Sequence, residues 1–186
     1  MRAATLLVLG LFAASAAQAQ VTPPAPASPL PPATKLEAFK PSAGSVLTIG
    51  YTELGHINGV AVDVREMRDV KGADARGVVV EVTESQYRSE RSFVDADELP
   101  ELIRGIDALL ATTTNPTAFT QFEVRYTTHG DLQLTAFNKS RTGDIGFAVQ
   151  AGRTLTAQDL SLSTKDIQQL RAMFVAAQTK LAALPK

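Results

Sequence analysis

A chain of 186 residues with a formal net charge of −1 and no cysteine has no thiol catalysis, disulfide exchange or thiolate metal site open to it. Its 18 Lys+Arg against 19 Asp+Glu leave no basic surplus for a polyanion, although a local basic patch stays compatible with that balance. The length suits one domain held together by burial alone.

Residues 1–19 have the layout of an export signal. Arg2 supplies a positive start, 3–12 is an uncharged, leucine-rich stretch, and Ala17-Gln18-Ala19 is the small-x-small pattern that signal peptidase accepts. Crossing a bilayer takes about 20 apolar residues, and Ser15 and Gln18 interrupt this stretch. The expectation is a cleaved leader, a mature chain beginning at Gln20, and a periplasmic or secreted protein with no membrane-integral segment. Without a cysteine at the cleavage point, a lipid anchor is excluded. Residues 20–44 hold Pro23, Pro24, Pro26, Pro29, Pro31 and Pro32 among alanines. That spacing sustains neither a helix nor a sheet ladder and predicts an extended, largely disordered spacer, with 35–41 ambiguous.

From residue 45 the pattern alternates with period two, the mark of half-buried strands. A first strand is expected over 46–51, followed by loop-like Gly55-His56-Ile57-Asn58-Gly59. Val60, Val62 and Val64 then share one face of a second strand, and Lys71-Gly72-Ala73-Asp74 turns the chain. Val78, Val80 and Val82 mark a third strand, and 87–94 a more polar fourth. Asp95 and Glu98 are spaced as a capping box for a helix whose stripe is Leu99, Leu102, Ile103, Ile106, Leu109 and Leu110. Pro100 is tolerable there because it falls in the first turn.

The second half follows the same order. Residues 119–128 alternate, His129-Gly130-Asp131 reads as a hairpin turn, and Leu132, Leu134 and Ala136 begin the next strand. Ile145, Phe147 and Val149 form a third strand, and a short fourth is expected over 153–156. Ser163 then caps a helix with the stripe Ile167, Leu170, Phe174, Ala177, Leu181 and Leu184. At one constant offset Asp95 matches Ser163, Glu98 matches Asp166, and Leu99, Leu102 and Ile106 match Ile167, Leu170 and Phe174. The predicted class is therefore α+β: a single domain over 45–186, with two repeats (45–114 and 117–186) of four antiparallel strands plus one helix. The helices would pack on curved antiparallel sheets, which cannot bury their apolar faces alone.

Over 45–184 this order of elements resembles the Whirly and PUR-repeat group of single-strand-binding domains. The lysine-glycine-lysine-alanine-type signature of Whirly proteins is missing, so the resemblance carries over no functional residues. It implies curved sheets with an exposed concave face, and self-association.

No catalytic, cofactor-binding or metal-binding set emerges. His56 and His129 are the only histidines, and neither has a second histidine at helical or strand spacing, so both read as surface turn residues. Asp95-Ala96-Asp97-Glu98 lacks the alternating ligands of a calcium loop and reads as helix capping. Ser161, Ser163 and Lys165 lie close together at a helix start, where such a pair arises by chance. Glu101 and Asp107 carry no mark of a paired acid and base, and no serine sits in a glycine-flanked elbow. Gly143-Asp144-Ile145-Gly146 lacks the lysine and spacing of a phosphate loop.

The most suggestive surface combines Tyr87, Arg88, Arg91, Arg125, Tyr126, Lys139 and Arg141, in which aromatics interleave with bases. The plainer reading, and the weightier, is a solvated sheet face with ion pairs such as Glu123 or Glu90 against an arginine. The first functional expectation is a non-enzymatic module that self-associates or meets an envelope partner through sheet edges or an open face. Single-strand nucleic-acid or other polyanion binding ranks second, and a hydrolase with a spatially assembled site third.

Overall fold

The computed structural model describes residues 31–39, 44, 46–85, 88–139, 143–152 and 158–185. The expected leader, the spacer up to residue 30 and the expected strand over 153–156 lie outside them. One compact unit runs Pro31–Lys186, so it takes in the segment 31–39 from within the expected spacer. No helix among the described residues is long and apolar enough to cross a membrane.

The architecture is α+β, with two four-stranded antiparallel meanders, each followed in the chain by a helix. The first sheet has the order β1 (Leu47–Ile57), β2 (Val60–Asp69), β3 (Asp74–Ser85) and β4 (Arg88–Asp95). The second has the order β5 (Glu123–Thr127), β6 (Gln133–Asn138), β7 (Ile145–Ala151) and β8 (Gln158–Leu162). Both sheets are open, and neither is strongly curled, in contrast to the expected curvature. A short helix α1 (Lys35–Ala38) precedes the strands; α2 (Leu99–Leu110) follows β4, and α3 (Thr164–Ala182) follows β8.

β1 extends past its expected end because Asn58-Gly59 is a two-residue turn. Both residues have positive φ (43° and 82°), as a type I′ hairpin demands. The chain therefore stays extended through His56 to buried Ile57, and His56 is an exposed strand residue rather than a loop residue. A Cβ on Gly59 would also lie 2.6 Å from the Thr83 carbonyl oxygen, so glycine is required twice over. β8 was missed. It falls at Gln158–Leu162, next to the helix cap, where its alternation is too short to stand out from a loop.

Both valine triplets point inward, and Val62, Val78, Val80 and Val82 are wholly inaccessible. They join Leu132, Leu134, Phe147 and Val149 of the second meander and the stripes of α2 and α3 in one core. The helices do not each cover their own meander. α2 packs on β5 and β6, while α3 packs on β1, β2 and β3 with a smaller contact to β7 and β8; the helices also pack on one another. A second, smaller cluster lies on the opposite face of the first sheet, where α1 buries Leu36 against Met67 and Ala75, with Phe39, Leu47 and Phe93 around them.

The cap of α3 matches expectation. Ser163 accepts from the Asp166 amide, and Asp166 accepts from the Ser163 amide at 2.9 Å, a complete capping box. The cap expected for α2 does not form. Glu98 itself occupies the N-cap with helical backbone angles (φ −85°, ψ −19°), a geometry that turns its side chain away from the first turn. The first turn manages without it, because Pro100 has no N–H and the Glu101 amide bonds the Glu98 carbonyl at 3.1 Å. Asp95 is used elsewhere, accepting from the amides of Lys35 (2.8 Å) and Leu36 (3.2 Å) at the start of α1.

Candidate interaction surface

The arginine–tyrosine set is divided between the two sheets. Arg88 and Arg91 lie on β4, Arg125 and Tyr126 on β5, and Lys139 just beyond β6. Tyr87 and Arg141 lie outside the described residues. Arg88 pairs with Glu84 at 2.9 Å, Arg91 with Glu81 at 2.6 Å, and Arg125 with Glu123 on its own strand. Glu81 is partly buried, which opposes ionisation, but hydrogen bonds from Arg91 and Ser89 outweigh this and hold its carboxyl below the usual range. Each of these three arginines thus meets a carboxylate already in place, and exposed pairs of this kind contribute little to stability.

Tyr126 faces away from Arg125. Its ring lies over Gly105 on α2, so closely that a Cβ there would overlap it. Burial, followed by the nearby Glu98 and Glu101 charges, pushes its hydroxyl above the ordinary value. Adjacent strand residues point to opposite faces, so Arg125 is presented to solvent while Tyr126 packs between sheet and helix.

The carboxylates at the β4–α2 junction tie distant segments together. Asp97 pairs with Lys35 at 2.6 Å; that hydrogen bond lowers the Asp97 carboxyl and raises the Lys35 ammonium. Glu98, 8% exposed, accepts from the His129 amide at 2.8 Å and lies 3.2 Å from its Nδ1. The other Glu98 oxygen, Oε2, is buried without a hydrogen-bond partner. His129 therefore does sit in the β5–β6 turn, and its amide is held by the start of α2. The sequence carried one usable signal here: Glu98 precedes Pro100, which leaves little for a side-chain cap to satisfy.

The remaining chemical candidates are engaged structurally. The Ser163 hydroxyl donates to Asp166 at 2.7 Å. Glu101 pairs with Arg104 along α2, and Asp107 with Arg171 across the α2–α3 contact, where two guanidinium nitrogens reach the carboxylate. Among the described residues, no group of three or more His, Cys, Asp or Glu is placed to hold a metal ion.

The feature that stands apart is the edge of β1. All of residues 48–53 are exposed on this strand. Val46, Ile49, Tyr51 and Val70 are four of the six large apolar side chains exposed among the described residues. Leu47 pairs with Asp69, which brings Val46 beside Val70 at the start of the β1–β2 pair, out of step with the face that carries Ile49 and Tyr51. Ile49 and Tyr51 lie on the outer face of the sheet, 46% and 73% exposed. Periodicity alone pointed to this strand but not to its position at an edge. Comparison of the chain with protein-family models and with curated proteins finds no match.

Proposed function

We propose that the protein is a non-enzymatic association module that works outside the cytoplasm, in the periplasm or after secretion. The observation that carries this reading is the exposed pair Ile49 and Tyr51 on the open edge strand β1, with Val46 and Val70 also exposed at that end of the sheet. Exposed apolar clusters and unpaired strand edges are costly to leave uncovered, and proteins that keep them use them for contact. Export is supported by the leader pattern of residues 1–19, and the proline-rich segment after it suits a spacer between domain and attachment point. The matching order of elements and apolar stripes in the two halves supports descent from one duplicated unit. Only core positions support it, because the cap at Asp95 and Glu98 has no counterpart to that of Ser163 and Asp166.

Single-strand or polyanion binding through the arginines has less behind it, since Arg88, Arg91 and Arg125 are matched by carboxylates. Sedimentation velocity over a micromolar range, together with affinity capture from envelope extract, tests the proposal. Concentration-dependent association, or a stoichiometric partner that is lost in Tyr51→Lys, is the expected result. A monomer at every concentration with no such partner would overturn it.

A further inference from the structure

We propose that the occupant of the β1 edge is a second copy of this chain, added antiparallel so that Gly50 faces Gly50 across a two-fold axis. The inference rests on the association reading above and specifies its partner and register.

Comparison of the four sheet edges isolates β1. On β4, the Gly152 amide donates to Ser92, and the backbone of Gly130 lies against Phe93. β5 carries Glu123 and Arg125. On β8, the Asn58 side chain donates to the Ser161 carbonyl at 3.0 Å. Charges, bulges and covering segments are the means by which edges are blocked. β1 has Glu53 and an irregularity between Glu53 and Gly55, but from Thr48 to Thr52 it has no charge and no proline, and each of those residues is exposed. An added Cβ at Gly50 would meet nothing within 4 Å.

The sequence of this stretch, Leu-Thr-Ile-Gly-Tyr-Thr-Glu, is self-complementary about its glycine. With Gly50 on the axis, Ile49 stands opposite Tyr51 of the second copy and Thr48 opposite Thr52, each pair occurring twice. Aromatic with β-branched, and threonine with threonine, are favourable cross-strand neighbours. Glu53 falls opposite Leu47, so no like charges meet. An axis perpendicular to the sheet keeps both outer faces on one side and joins the Ile49 and Tyr51 pairs into a single apolar strip. A foreign strand would have no reason to match this symmetry. With seven residues a side, against about 20–30 in a standard interface, the contact belongs to the weak, reversible class.

The cysteine-free chain makes the register directly testable. Facing Cα atoms in an antiparallel pair are about 4.5–5.5 Å apart, within the roughly 4.4–6.8 Å that a disulfide spans. Under mild oxidation at micromolar concentration, Gly50→Cys should cross-link to itself several-fold faster than Val175→Cys, a surface control on α3. Ile49→Cys and Tyr51→Cys should each cross-link poorly alone and efficiently when mixed. Tyr51→Lys should weaken association of the otherwise unaltered protein by about tenfold or more, with an unchanged circular dichroism spectrum. If Gly50→Cys reacts no faster than the control while the parent protein still associates, this register is wrong and the association reading survives. If the parent protein neither associates nor captures a partner, both fail. Cross-linking of Gly50→Cys to a different protein without a homodimer would also overturn the proposal.

Discussion

Phe174→Ala tests the exchange of covering helices. Phe174 is fully buried on α3, in the core shared by both sheets. Truncating a buried phenylalanine costs about 3–5 kcal/mol through lost transfer energy and the cavity left behind. Against the roughly 5–15 kcal/mol typical of a domain, that is a large share. For a domain of this size it corresponds to a fall in Tm of roughly 6–20 °C. The location of the damage matters more than its size. Because α3 packs on β1, β2 and β3, a substitution near the end of the chain should lower hydrogen-exchange protection of the Val62 and Val80 amides as much as that of Leu134. Urea unfolding followed by circular dichroism and by tyrosine fluorescence should give one coincident transition. Wild-type protection across the first sheet, with loss confined to the second, would refute the shared core. So would a destabilisation below about 1 kcal/mol, well under the range for such a truncation.

Gly105→Ala, which would gain about 1 kcal/mol in an isolated helix, should instead destabilise by about 1–3 kcal/mol through overlap with the Tyr126 ring. Combining it with Tyr126→Ala should give a non-additive double-mutant cycle in denaturant midpoints. Ser163→Ala should cost about 0.5–2 kcal/mol and fray the start of α3, whereas Asp95→Ala should leave α2 intact and release α1, seen as exchange at the Lys35 and Leu36 amides. Glu81, Asp97, Asp107 and Asp166 all have carboxyls held below their ordinary values of 4.5 for Glu and 3.8 for Asp. Their stabilisation is present above those values and is lost as pH falls through the lower folded ones. Urea midpoints should therefore hold steady near neutrality and drop below about pH 4; in Asp107→Asn that drop should be smaller.

Much of the fold was legible because burial writes a period into the chain. The valine alternation of β2 and β3 and the stripes of α2 and α3 are consequences of facing one core, and each was read at its correct place. Long-range tertiary use was not legible. Asp95 and Glu98 have the spacing of a capping box, but their hydrogen bonds go to α1 and to the His129 amide, partners far away in sequence. The order four strands then helix does not say which sheet a helix will cover, since an apolar stripe fits either. His56 was misplaced because glycine and asparagine at Gly55–Gly59 suggest a loop, when two residues suffice for the turn. The candidate surface met the same limit. Composition drew attention to arginines that ion pairs occupy, and the β1 edge could be singled out only once the neighbour of each strand was known.

The exchange of helices also constrains how the chain can be assembled. The first meander, although complete in hydrogen bonding by residue 95, keeps its valine face open until β7, β8 and α3 pack on it. Neither half can be cut out as a self-sufficient unit, and the first sheet acquires its cover only after the second meander and α3 have been made. An early truncation would leave an exposed valine surface rather than a smaller version of the same protein.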